Sequence, residues 1–332
     1  MKLKRPLIGF AIITLLYLGM LIWVDAGKQV FAQIPLLWKA LPLMLALALL
    51  SYLIRFARWQ WLLYRMGHRP PPLRSLLAYL AGFAFTATPG KVGELVRIRY
   101  LLPQGVPAWK TLSVFVYERA FDLIAVLALA MLYLRSPELL AFVSAFVAAF
   151  ITAIVVTATR PRLLSRLIAR LQAWHMRRLA RLLRTLRDGL QGCRQLNTLP
   201  DAIAAFFLGL LAWLFTAFAF SCLLNQLGIQ LPLLTSLSMY PVAMLAGAAS
   251  MIPGGLGSTE ATLVALLMNE GVALKTAMLA AVGIRLASLW FSILLGLAAV
   301  VFLETAENSG AMVAISPDTT DRPRTAPDLS PP

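Results

Sequence analysis

Six apolar runs, at residues 7–24, 41–64, 111–134, 139–158, 202–227 and 273–303, constrain this chain more than any other feature. About 20 apolar residues in helix cover the hydrocarbon core of a bilayer. Lipid offers no partner to backbone polar groups, so each such run must close its hydrogen bonds within itself as a helix. The expected class is therefore an all-α polytopic membrane protein. Composition agrees: 13% of the residues are charged and 60% hydrophobic, where soluble domains average about 25% charged.

The formal net charge is +16. In a soluble chain that excess would suggest nucleic acid. Here Lys and Arg gather between the apolar runs, as cytoplasmic loops and anionic head groups demand, so membrane lipids rather than nucleic acid are the expected partners. Cys193 and Cys222 form no disulfide framework.

Two further apolar stretches are broken in the middle. Segment 76–102 carries Thr88-Pro89-Gly90-Lys91-Val92-Gly93-Glu94, and segment 231–269 carries Ile252-Pro253-Gly254-Gly255-Leu256-Gly257-Ser258-Thr259-Glu260. Proline removes a backbone donor and glycine admits left-handed dihedrals. Broken backbone at membrane depth persists only where it lines a cavity or is buried in protein. Both stretches therefore read as sites.

The crossings are counted from a basic cytoplasmic N-terminus (Lys2, Lys4, Arg5), with the broken pairs treated as re-entrant. Run 7–24 exits; a cleaved signal peptide is the rival reading, though the run exceeds the usual apolar region of one. Run 41–64 returns, and its basic end (Arg55, Arg58, Arg65, Arg69, Arg74) is assigned to the cytoplasm. Residues 160–195 hold leucines at helical spacing with arginines between them. They form either a basic amphipathic segment on the cytoplasmic face or a solvated linker. Residues 304–332 are polar and rich in proline, and read as a disordered cytoplasmic tail. The transporter-like domain is 1–303. Repeat 1 spans about 41–134 and repeat 2 about 202–303. Each holds a span, a broken pair, then a span with a buried arginine, Arg119 or Arg285. The first hairpin opens inward and the second outward, so the repeats are inverted, which is a hallmark of secondary transporters.

The charges inside this frame are the candidate site. Lys91, Arg97, Arg119 and Arg285, with Gly90, Gly93, Gly254, Gly255, Gly257 and the Ser258 hydroxyl, are candidates for holding an anionic head group. The half-helix starting after Gly90 would offer free N–H groups and a positive dipole end. Gly90 and Gly93 serving only close packing is the alternative. Glu94, Glu118, Asp122 and Glu260 are candidates for charge balance or proton carriage, because charges within a span usually mark a pathway. Glu94 with Arg97, and Arg119 with Asp122, have the i, i+3 spacing of a structural ion pair. Arg285 is expected to meet a carboxylate or an anionic ligand. No Walker loop, metal-ligand spacing or nucleophile–base set is visible, and His68 and His175 stand alone. No cofactor or metal is expected.

These motifs, together with Glu118-Arg119-Ala120-Phe121-Asp122, make the chain resemble the transmembrane region of the lysylphosphatidylglycerol synthases and the flippase-like proteins grouped with it, over about residues 7–303. The resemblance implies translocation of a lipid across the cell (cytoplasmic) membrane. In the synthases a soluble aminoacyl-transfer domain follows the last span. Only residues 304–332 follow here, so the expectation is a translocator without that enzymatic activity. A non-transporting accessory subunit that recruits a lipid-modifying enzyme is the alternative, and an intramembrane enzyme using Glu118 or Asp122 is a third.

Overall fold

The computed structural model describes residues 37–133, 137–159, 165, 168–170, 172, 176–196 and 198–308. The expected first span, most of 160–176 and nearly all of the tail lie outside the described residues. Among the described residues the fold is all helix, without strands. In chain order the helices are α1 (Leu37–Arg65), α2 (Pro72–Phe83), α3 (Arg97–Leu101), α4 (Ala108–Ala130), α5 (Pro137–Thr159), α6 (Arg177–Gly192), α7 (Leu199–Gln226), α8 (Leu233–Ala249), α9 (Ser258–Asn269), α10 (Leu274–Arg285) and α11 (Phe291–Asn308). A π-helical turn, Leu286–Trp290, joins α10 to α11.

Among the described residues three helical stretches are long and apolar enough to cross a membrane: Leu37–Arg65, Leu199–Gln226 and Leu274–Glu307. α4 has 23 residues and reaches roughly 34 Å at 1.5 Å per residue. It carries Glu118, Arg119 and Asp122 within that length. Leu43, Leu49, Leu50 and Leu53 of α1 are exposed, an apolar face suited to acyl chains.

The broken segments fold as the proline–glycine pairs demand. α2 ends at Phe83, and a 3₁₀ segment, Pro89–Val96, leads into the five-residue α3. α8 ends at Ala249, and a short 3₁₀ turn, Pro253–Gly255, leads into α9. Gly90 has φ 60° and ψ 13°, and Gly254 has φ 64° and ψ 6°. The two breaks thus adopt nearly the same backbone.

α1 lies along α7, α2 packs on α11, and α8 packs on α4. The breaks touch each other: a Cβ on Gly254 would lie 3.4 Å from Ala87 Cα. One apolar core gathers around α7 to α10 and a second around α1 to α4.

The basic segment is a docked helix over the part described. A Cβ at Gly189 of α6 would lie 2.6 Å from Leu112, and Ser113 Oγ donates to Gly189 O at 2.7 Å. α6 is therefore held against α4 by glycine-permitted contact, which a solvated linker would not be.

Candidate functional site

The breaks and the helices beside them enclose one cavity. Its walls are the polar face of α1 (Ser51, Tyr52, Arg55), the end of α2 (Tyr79, Phe83), Thr86, Lys91 and Glu94 of the first break, Arg119 of α4, Trp213 and Thr216 of α7, Tyr240 of α8, Gly254 of the second break, Arg285 at the end of α10, Ser288 of the π turn and Ser292 of α11. The cavity has a volume of about 90 Å³.

Beneath the cavity lies a buried ion network. Asp122 accepts from Arg58 Nη2 at 2.7 Å and Arg55 Nη1 at 3.0 Å and forms an ion pair with Arg119 Nη2 at 3.1 Å. Glu118 faces Arg58 Nε at 3.4 Å and Arg97 Nη1 at 3.7 Å. Arg97 donates to Glu94 Oε2 at 2.7 Å, while Thr86 Oγ1 donates to Glu94 Oε1 at 2.9 Å. Charges taken out of water need partners, and one connected chain of ion pairs and hydrogen bonds runs from Arg55 to Thr86.

The second break has its own pair. Arg285 Nε donates to Glu260 Oε1 at 2.7 Å and Arg285 Nη2 to Gly254 O at 2.6 Å. Glu260 Oε2 also accepts from Gly257 N at 2.7 Å, which caps α9. A carboxylate there suits the positive end of the helix.

The structure sorts the expected site residues into three groups. Lys91, Glu94, Arg119, Gly254 and Arg285 line the cavity. Arg97, Glu118, Asp122 and Glu260 are their ion partners behind it. Arg97 is 1% exposed, with its guanidinium carbon 4.0 Å from the Tyr79 ring centre and 5.0 Å from that of Trp59. A side chain so enclosed stands behind the cavity wall, against Glu94 and Glu118.

The remaining residues shape the breaks. Gly93 N donates to Thr88 Oγ1 at 2.7 Å, and a Cβ on Gly93 would lie 2.5 Å from Phe85 O. Gly255 N donates to Ile252 O at 2.9 Å, and Ser258 Oγ lies 2.9 Å from Ser250 Oγ. Gly90 does not line the cavity. Gly90, Gly93, Gly255, Gly257 and Ser258 are not among the residues that line this cavity, and they take part in the turns and close contacts of the breaks. The stretch after Gly90 is a 3₁₀ segment that leads into a five-residue helix.

Two important residues lie where the sequence pattern points only to a cytoplasmic basic cluster. Arg55 is 8% exposed and Arg58 is fully buried. The signal for their depth is the sequence after Arg58: Trp59-Gln60-Trp61-Leu62-Leu63 continues the apolar run. That places Arg58 about 10 Å inside Arg65, at 1.5 Å per residue. Tyr52 and Tyr240 also escape sequence reasoning. Tyr52 Oη donates to Ser288 O at 2.7 Å and Tyr240 Oη to Ser288 Oγ at 3.0 Å, both fastening the π turn.

Comparison with known proteins adds the family. The model of the lysylphosphatidylglycerol synthase TM region matches residues 7–296. No curated protein and no solved structure matches the chain.

Proposed function

Because the chain belongs to the lysylphosphatidylglycerol synthase TM-region family, we propose that this membrane protein is a lipid translocator rather than an enzyme. It would carry an anionic or lipid-linked head group across the cell membrane. The head group enters the cavity between the two breaks while the acyl chains stay in the bilayer. One observation carries the reading: four cationic side chains, Arg55, Lys91, Arg119 and Arg285, converge on one cavity inside a bundle of apolar helices. Charges at such depth are costly and are kept for function.

In this reading the broken pairs are re-entrant hairpins of inverted repeats, and both termini are cytoplasmic. The matched dihedrals at Gly90 and Gly254 and the packing of α2 on α11 and of α8 on α4 support that arrangement. Broken helices meeting near the midplane are a recurrent plan for transporters.

The test is reconstitution in liposomes with a fluorescent anionic lipid and an impermeant quencher. Lys91→Ala is expected to slow exchange between leaflets. Arg285→Ala, made with Glu260→Gln so that no unpaired carboxylate remains, is expected to slow it as well. Wild-type rates in both variants would sink the assignment. Lipid binding without any exchange would instead favour the accessory-subunit reading.

A further inference from the structure

The cavity and the network behind it do not balance in charge. Among the described residues, six cations (Arg55, Arg58, Lys91, Arg97, Arg119 and Arg285) face four carboxylates (Glu94, Glu118, Asp122 and Glu260). Two positive charges remain in excess. Five of the six cations reach a carboxylate within 4.0 Å; Lys91 reaches none and makes no side-chain hydrogen bond with the described residues.

A second, independent observation concerns hydrogen bonds. Tyr79 Oη, Trp213 Nε1 and Arg119 Nε belong to cavity-lining residues, are buried, and find no partner among the described residues. Tyr79 is fully buried and Trp213 is 7% exposed. All three groups can donate, and so can the Lys91 ammonium. Buried polar groups are normally satisfied, so each unmet one needs an explanation. Unmet donors around surplus positive charge describe the negative image of a ligand that is rich in acceptors and carries two negative charges.

We propose that the cavity selects a lipid-borne phosphate monoester or diphosphate over a phosphodiester, and that it rejects cationic, aminoacylated head groups. This deepens the translocator reading and rests on its assignment of the cavity to the head group. A phosphate monoester bears about −1.5 to −2 at neutral pH and presents three acceptor oxygens. It neutralises the excess that a singly charged diester leaves half unmet. Lys91 supplies the selective charge, because the arginines already have carboxylate partners. A lysyl ester adds cations to a site that already has too many.

The probes are dioleoyl phosphatidic acid, dioleoyl phosphatidylglycerol, lysyl-phosphatidylglycerol and inorganic phosphate. Each is titrated against the detergent-purified full chain, with binding read by native mass spectrometry and by thermal shift. Phosphatidic acid is expected to bind at least about tenfold tighter than phosphatidylglycerol, a factor that one added charge contact in a shielded site can supply. Lysyl-phosphatidylglycerol is expected to bind weakest. Lys91→Gln should erase the preference with the melting temperature of the unliganded protein unchanged, and Lys91→Arg should restore it. Equal binding of the phosphatidic acid and phosphatidylglycerol probes, or a preference that survives Lys91→Gln, would overturn the proposal. Inorganic phosphate binding as tightly as phosphatidic acid would overturn the lipid-borne part of it. The liposome assay separates this outcome from the broader reading: preference without exchange sinks the carrier, and exchange without preference sinks the selectivity.

Discussion

Arg58 shows how one residue ties the site to the fold. It reaches Asp122, Glu118 and the Ala205 carbonyl from a fully buried position. Gly209 leaves the room for it, since a Cβ there would collide with Arg58 Nη1. Removing one partner of a buried ion network leaves the rest uncompensated, at a cost of about 3–5 kcal/mol. Arg58→Leu is therefore expected to lower the melting temperature of the detergent-solubilised protein sharply. Arg58→Lys should recover only part of the loss, because an ammonium cannot fork between two carboxylates. A melting temperature for Arg58→Leu within a degree or so of wild type would show that the network carries no stability. The depth of Arg58 was readable from the apolar residues after it. Its partners were not, since sequence separations of 60 and 64 to Glu118 and Asp122 leave no local pattern. The short pairs Glu94–Arg97 and Arg119–Asp122 were legible because three residues along a helix bring side chains together.

At the level of elements, the breaks were legible and their limbs were not. Proline followed by glycine announces an interruption wherever it occurs in an apolar run. The path of the chain beyond the interruption depends on tertiary contact. After Gly90 the chain runs as 3₁₀, and Gly93 lies close against Phe85 and Thr88. The π turn at Leu286–Trp290 carries no proline or glycine, so nothing local marks it. Gly296 of α11 is the clearest packing requirement, because a Cβ there would overlap Ala84 N and the Phe83 carbonyl carbon. Backbone atoms cannot move aside as a flexible side chain does. Gly296→Ala is expected to cost about 1–3 kcal/mol, as overpacking does, and to slow lipid exchange by displacing the first break. An unfolding midpoint and an exchange rate both unchanged would show that α11 can slide on α2.

For the whole molecule, the proposed inverted arrangement makes a sidedness prediction. Gln104 follows the first broken pair and Asn269 ends the second. Single cysteines at these positions should react with an impermeant maleimide from opposite faces of the membrane, the first from the cytoplasm. Cys222 is replaced by serine for this purpose. Cys193 adds little background, since burial pushes its thiol up to about 12 and the thiolate is the reactive form. Both positions reacting from one face would remove the inversion and leave only a resemblance between two loops. The all-helical class could be read from periodicity. The packing of α2 on α11 and of α8 on α4 could not, because it depends on contacts between helices far apart in the chain.

The wide turn after Arg285 has a mechanical meaning. It holds a rotation in reserve, since each residue of an ordinary helix advances about 100° around its axis. Tightening that turn by one residue would swing everything beyond Phe291 through this angle. Ser292 would leave the cavity wall and Gly296 would leave its seat against Ala84. Tyr52 and Tyr240, both hydrogen-bonded to Ser288, hold that turn in its wide form.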